Sequence, residues 1–234
     1  MSKLAIPDQD RLIFALDVPD LAHARRLIEK LGDSVSFYKL GLEFFLSGHY
    51  FELIHELKAA DKKVFADLKL FDIPPTVGRA VAQLAKHEVD FVTVHGNDAM
   101  LKAAVDQAGE MGVLAVTALT SLDRGDLDDL GFECDIEALV LSRAQRALAL
   151  EGRGVISSGL EVSALRASVT GPLTVICPGI RPVDNVDDQK RTMPASQALA
   201  AGADYIVVGR PIRDADNPRQ AAEAIQAEIH EYFN

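Results

Sequence analysis

The strongest constraint on the fold is a strand–helix alternation repeated eight times along 234 residues. Short apolar, β-branched runs stand at residues 12–18, 35–40, 64–68, 91–95, 113–119, 154–157, 173–177 and 205–208. They are nearly continuous rather than alternating, which is the pattern of strands buried on both faces of a parallel sheet. Between them, apolar residues recur at three- and four-residue spacing over 21–31, 44–60, 76–86, 100–111, 136–150, 162–168, 195–201 and 219–232, so a helix is expected after every strand. Eight such units predict an α/β fold of the TIM (β/α)8 barrel type, slightly below its typical ~250 residues. A doubly wound open sheet competes, but the first strand–helix turn, ALDVPDLAHA, lacks a Gly-rich dinucleotide fingerprint. No linker, low-complexity tract or compositional shift interrupts the pattern, so residues 1–234 are expected to form a single domain.

Charge narrows the function classes. The chain carries 24 Lys plus Arg against 35 Asp plus Glu, a net charge of −11. Nucleic-acid binding needs a basic footprint and is not expected. Any phosphate must therefore be caught locally, against the overall field. Cys134 and Cys177 are too few and too far apart for a disulfide framework or a Cys-rich zinc site, and they read as reduced thiols. The opening MSKLAIPDQDR has no apolar core of a secretory signal, and no run approaches the eighteen apolar residues of a membrane span. A cytoplasmic protein without membrane partners is the expectation.

In a barrel, functional side chains sit where strands end and βα loops begin. Strand 1 ends at Asp17, strand 2 at Lys39, and strand 3 at Asp67 and Lys69, followed by Asp72. Residues two apart on an extended strand point the same way, so Asp67 and Lys69 share a face that Lys39 can join from the neighbouring strand. Crowded charges in a poorly solvated mouth are costly unless they alternate in sign, and Lys39, Asp67, Lys69 and Asp72 offer two cations and two anions. Any one of these residues alone fits a structural ion pair at the rim, but all of them at successive strand ends favour a site built for proton transfer. The following IPPT places Pro75 in the first turn of the next helix. Each proline also disfavours a helical residue before it, so Ile73 and Pro74 are expected to be extended. Asp72 and Thr76 would then sit on a stiff projecting loop that can cross to another subunit.

The late junctions differ in chemistry. CPGIRP follows strand 7 and VGRP follows strand 8, the two positions that most often build a phosphate site in a barrel. Gly179 and Gly209 permit close backbone approach, and Arg181 and Arg210 each offer a guanidinium fork to phosphate oxygens. The polar stretch RPVDNVDDQKR has the length of a lid, in which Gln189 can close over a ligand. Thr120 and Ser121 add hydroxyls after strand 5. His95 is the only histidine at a strand end, and no metal is expected, because a catalytic metal needs two or three converging ligands.

These residues together resemble the orotidine 5′-phosphate decarboxylase family. FALDVP, YKLG, FADLKLFDIPPTV, TALTS, PGIRP followed by DDQKR, and VVGRPI match it in order and spacing across essentially the whole chain. The resemblance implies a homodimeric TIM barrel that converts orotidine 5′-phosphate to UMP and carbon dioxide in pyrimidine biosynthesis without a cofactor. It further implies Lys69 as proton donor, Asp67 facing the substrate carboxylate, Lys39 holding the charge network, and Asp72 and Thr76 reaching in from the partner. Asp17 and Lys39 would bind ribose hydroxyls, Thr120 the pyrimidine, and Gln189, Gly209 and Arg210 the phosphate, with Arg181 as a further contact on that side. Keto-gulonate-phosphate decarboxylases and hexulose-phosphate synthases share Asp-x-Lys-x-x-Asp but usually lack the IPPT continuation and recruit magnesium. Such a phosphosugar enzyme, including a Schiff-base aldolase using Lys69, is the alternative; a non-catalytic phosphonucleotide binder is a third reading.

Overall fold

The computed structural model describes residues 6–181 and 192–234. Its strands β1 (Leu12–Ala15), β2 (Phe37–Gly41), β3 (Lys63–Leu70), β4 (Phe91–His95), β5 (Gly112–Val116), β6 (Gly154–Ile156), β7 (Thr174–Cys177) and β8 (Tyr205–Val208) form a closed parallel barrel in sequence order. The ring closes where β1 pairs with β8, in register Leu12 to Ile206. The predicted TIM (β/α)8 architecture is therefore the observed one, with every predicted strand present, β4 and β8 at the predicted bounds and the others shifted by one to three residues at an end.

Two apolar layers account for the continuous hydrophobicity of the strands. Ile13, Ala15, Phe37, Phe65, Phe91, Leu114, Ile176, Tyr205 and Val207 form one buried cluster, the barrel interior. Neighbouring positions such as Phe14, Tyr38, Val64, Val92 and Val175 belong to a second cluster that packs against the helices. Inside, Phe37, Phe91 and Tyr205 meet at ring-centroid distances of 5.5 to 6.0 Å, and Phe65 stands edge-on to Phe91 at 6.2 Å. This aromatic plug fills the lower barrel and leaves its C-terminal mouth for polar groups.

The helices depart from expectation in specific places. The single helix expected over 44–60 is two, α2 (Leu42–Leu46) and α3 (Tyr50–Ala59), after α1 (Leu21–Leu31). Between them the Ser47 side chain donates to the Phe44 carbonyl at 2.7 Å and Gly48 takes φ +84°, a left-handed turn that ends one helix and redirects the chain into the next. α4 (Pro74–Ala85) starts one residue earlier than the proline rule suggested. Ile73 is extended (φ −57°, ψ 143°) as expected, but Pro74 is helical. The first helical turn has no intrahelical acceptors for its N–H groups, so two prolines there forfeit nothing. α5 (Asp98–Val105), α7 (Ile136–Ala149), α8 (Val162–Ser168), α9 (Ala195–Ala201) and α11 (Pro218–Phe233) complete the outer ring. Two short helices were not predicted: α6 (Arg124–Asp129), opened by an Asp123/Asp126 capping box, and α10 (Arg210–Arg213). Both are below the length at which periodicity is readable. Among the described residues, no helix is long and apolar enough to cross a membrane.

Candidate active site

The barrel mouth holds a chain of alternating charges. Lys39 Nζ lies 3.1 Å from Asp17 Oδ1 and 3.3 Å from Asp67 Oδ2, and Lys69 Nζ lies 2.9 Å from the same Asp67 oxygen. The Lys39 and Asp67 side chains are 11% exposed, while Lys69 is 34% exposed and turned to the cavity. Gly41 makes the Asp17–Lys39 contact possible, since a Cβ there would stand 2.9 Å from the Asp17 carboxylate and 3.3 Å from the Lys39 ammonium. The cluster is not the quartet read from the sequence. Asp17 takes the place expected for Asp72, which is exposed and accepts a hydrogen bond from the N–H of Ile73 at 2.6 Å. Thr76 likewise faces away, its hydroxyl accepting from Arg79 at 3.3 Å. The helix-starting prolines carry both residues out along the rim rather than back into their own barrel.

Electrostatics keep the buried groups ionised. Burial works against charge on both Lys39 and Asp67. For Lys39 it is outweighed by the Asp67 and Asp17 carboxylates, so its pKa is raised. For Asp67 it is outweighed by the Lys39 and Lys69 ammonium groups, so its carboxyl is held below the usual carboxylate range. His95 at the end of β4 is shifted down by burial, then by Arg143 and Lys69, and its ring packs edge-on to Phe71 at 5.0 Å. It joins no metal cluster: among the described residues, no three His, Cys, Asp or Glu side chains are arranged to hold an ion.

A cavity of about 380 Å³ opens above the aromatic plug. Phe65, Ala15, Ile156 and Val207 form its apolar floor, and Asp17, Lys39, Asp67 and Lys69 form one wall. Thr120, Gly179, Arg181, Gly209 and Arg210 line it as well, so the late junctions face the charge cluster across a space sized for a small ligand. Gly179 stands at φ +77°, and the chain after it is pinned by Arg181 N–H to the Met193 carbonyl (3.0 Å) and Met193 N–H to the Gly179 carbonyl (3.3 Å). Gln189 lies outside the described residues.

Two residues were missed by reading the sequence. Arg213 lines the cavity and donates to the Asp17 carbonyl at 2.9 Å, its guanidinium also gripping Asp214. It follows Arg210 by three positions on α10, a helix too short to announce itself. Thr93 is fully buried below Asp67. Its only signal was a hydroxyl in the middle of the apolar run FVTVH.

The orotidine 5′-phosphate decarboxylase / HUMPS family matches residues 10–225. The chain belongs to this family. An orotidine 5′-phosphate decarboxylase of Methylococcus capsulatus is 60% identical over 235 residues, covering 100% of this chain and 97% of the relative. That of Stenotrophomonas maltophilia is 49% identical over 98% of this chain and 97% of its own length. In three dimensions, the orotidine 5′-phosphate decarboxylase of Lactobacillus acidophilus superposes with a TM-score of 0.83 at 35% identity, covering 94% of this chain and 99% of that one. The curated relatives named here, matched over nearly their full length, are orotidine 5′-phosphate decarboxylases.

Proposed function

We propose that this chain decarboxylates orotidine 5′-phosphate to UMP and carbon dioxide in pyrimidine biosynthesis, with Lys69 delivering the proton. One observation carries the assignment of roles: a buried Asp67 carboxylate shared by two ammonium groups that both line the cavity, of which Lys69 is the more exposed, at 34% against 11% for Lys39. The bond from C6 to the substrate carboxylate breaks, its electron pair stays on C6, and carbon dioxide leaves. The Lys69 ammonium faces the developing carbanion, stabilises it in a poorly solvated site, and then transfers its proton to C6. Asp67, adjacent to the departing carboxylate, adds a smaller ground-state repulsion. Lys39 holds Asp67 and, with Asp17, meets the ribose hydroxyls, while Thr120 meets the pyrimidine.

The phosphate is held by Gly209, Arg210 and Gln189, with Arg181 on the same side. Gly209, Arg210 and Arg181 line the same cavity as Lys69, so binding energy gained there is available to press the reacting carboxylate against Asp67. Catalysis at the upper end of enzyme power requires roughly 20 kcal/mol of barrier lowering, which only such remote binding together with preorganised charge can supply.

The active unit is a homodimer in which Asp72 and Thr76 complete the partner's site. Supporting this, Phe71 and Ile73 flank Asp72 at 66% and 64% exposure, and Leu42 and Leu46 on the adjacent β2–α3 connection are 53% and 80% exposed. Large apolar side chains exposed on two successive βα connections call for a cover. Free Cys134 and Cys177 suit a reducing cytoplasm. The test is the absorbance change of orotidine 5′-phosphate with purified protein, with and without EDTA. Chelator-insensitive turnover is expected; turnover abolished by EDTA overturns the cofactor-free mechanism, and none from folded protein overturns the assignment.

A further inference from the structure

We infer that Thr93 is a positioning residue for the Asp67–Lys69 pair. The inference deepens the decarboxylase reading and rests on it. β3 does not run regularly beside β4: Ala66 pairs with Val92 and Leu70 with Val94, so Asp67, Leu68 and Lys69 all oppose Thr93. Such a bulge costs the strand its ladder bonds and bends it. Within it Lys69 takes φ +47°, a conformation that a long side chain rarely adopts. The Lys69 N–H, deprived of a strand partner, donates instead to Thr93 Oγ1 at 2.9 Å. The same hydroxyl stands 2.9 Å from Asp67 Oδ1.

These two contacts fix the direction of the hydroxyl. Its oxygen accepts from the backbone, so its proton points at Asp67. Asp67 Oδ1 is thereby occupied from below, and the other oxygen, Oδ2, faces both lysines at 3.3 and 2.9 Å. One buried hydroxyl thus sets the rotation of the carboxylate and holds the strained backbone from which the proton donor projects. Thr93 is not among the cavity-lining residues, so it acts on the reaction only through its two neighbours. Strained backbone at a site persists only when its surroundings over-determine it, and Thr93 is the side chain that does so here.

The test compares Thr93→Val, which keeps the volume and β-branching but removes the hydroxyl, with Thr93→Ser, which restores it. In Thr93→Val, kcat is expected to fall by about ten- to a hundredfold, with KM changed by less than roughly threefold. UMP carries no reacting carboxylate and is gripped by the far wall, so its affinity in Thr93→Val should stay within about threefold of wild type. Thr93→Ser should recover kcat to within about threefold of wild type. A Thr93→Val enzyme with wild-type kcat overturns the inference. So does one that loses UMP affinity in step with kcat, because that marks general collapse of the site, or a Thr93→Ser enzyme as impaired as Thr93→Val. Wild-type turnover separates the two levels: an inactive wild type overturns the decarboxylase reading and this inference with it, whereas an active wild type beside an equally active Thr93→Val overturns the role of Thr93 alone.

Discussion

Asp67 sits where burial alone would neutralise it, and it stays charged because Lys39, Lys69 and the Thr93 hydroxyl outweigh that penalty. Its folded-state pKa lies below the unfolded value of about 3.9, so the stability it supplies is complete above that value and is lost as pH falls through the folded pKa. Lys39 runs the other way: raised in the folded state, its contribution is complete below about 10.4 and lost only as pH climbs through its folded pKa. Asp67→Asn should therefore destabilise the protein at pH 7 by about 1–3 kcal/mol, since it leaves buried cations short of a partner. Thermal melts from pH 3 to 8 check the sign. The gap to wild type is expected to narrow as pH falls below ~4, where the unfolded chain takes up the proton, and to close as pH passes through the lower folded pKa. A gap that widens there would mean that Asp67 is not held ionised by its lysines.

At the scale of elements, the site is divided between the early strands, which carry the charges, and the last two βα junctions, which carry the glycines and arginines. α10 is the hinge of the second half: Gly209 stands at its N-cap, Arg210 opens it, and Arg213 ties it back to the Asp17 carbonyl. Because this helix is short and its guanidinium groups face the cavity, Arg210→Ala should weaken UMP binding by about ten- to a hundredfold, the worth of a charge-assisted contact. It should lower Tm by no more than about 2–4 °C, since no core is lost. Calorimetric titration beside a melting curve separates the effects, and a Tm loss the size of a core truncation would assign Arg210 to folding instead.

For the whole molecule, one chain assembles Asp17, Lys39, Asp67 and Lys69 but turns Asp72 and Thr76 outward. If those two serve a neighbouring barrel, the variants Lys69→Ala and Asp72→Ala are each inactive alone and complement each other when mixed. Each heterodimer then holds one intact site, so random exchange should restore about a quarter of wild-type activity under two-fold symmetry. Heterodimers that form but show no activity would place Asp72 outside the shared site.

The barrel itself was legible from the sequence because burial on both strand faces writes a continuous apolar run, and eight such runs alternate with helices while the first turn lacks a dinucleotide fingerprint. The strand-end positions of Asp17, Lys39, Asp67 and Lys69 followed from the same alternation, as did the Gly and Arg pairs after β7 and β8. What the sequence could not reveal depends on distances between strands. That Asp17 rather than Asp72 completes the charge chain is decided by the room left at Gly41 and by a helix that begins at Pro74. That Thr93 serves Asp67 and Lys69 is decided by the slip in register between β3 and β4. A bulge leaves almost no mark on hydrophobic periodicity, because it changes which residues face each other without changing which of them are apolar.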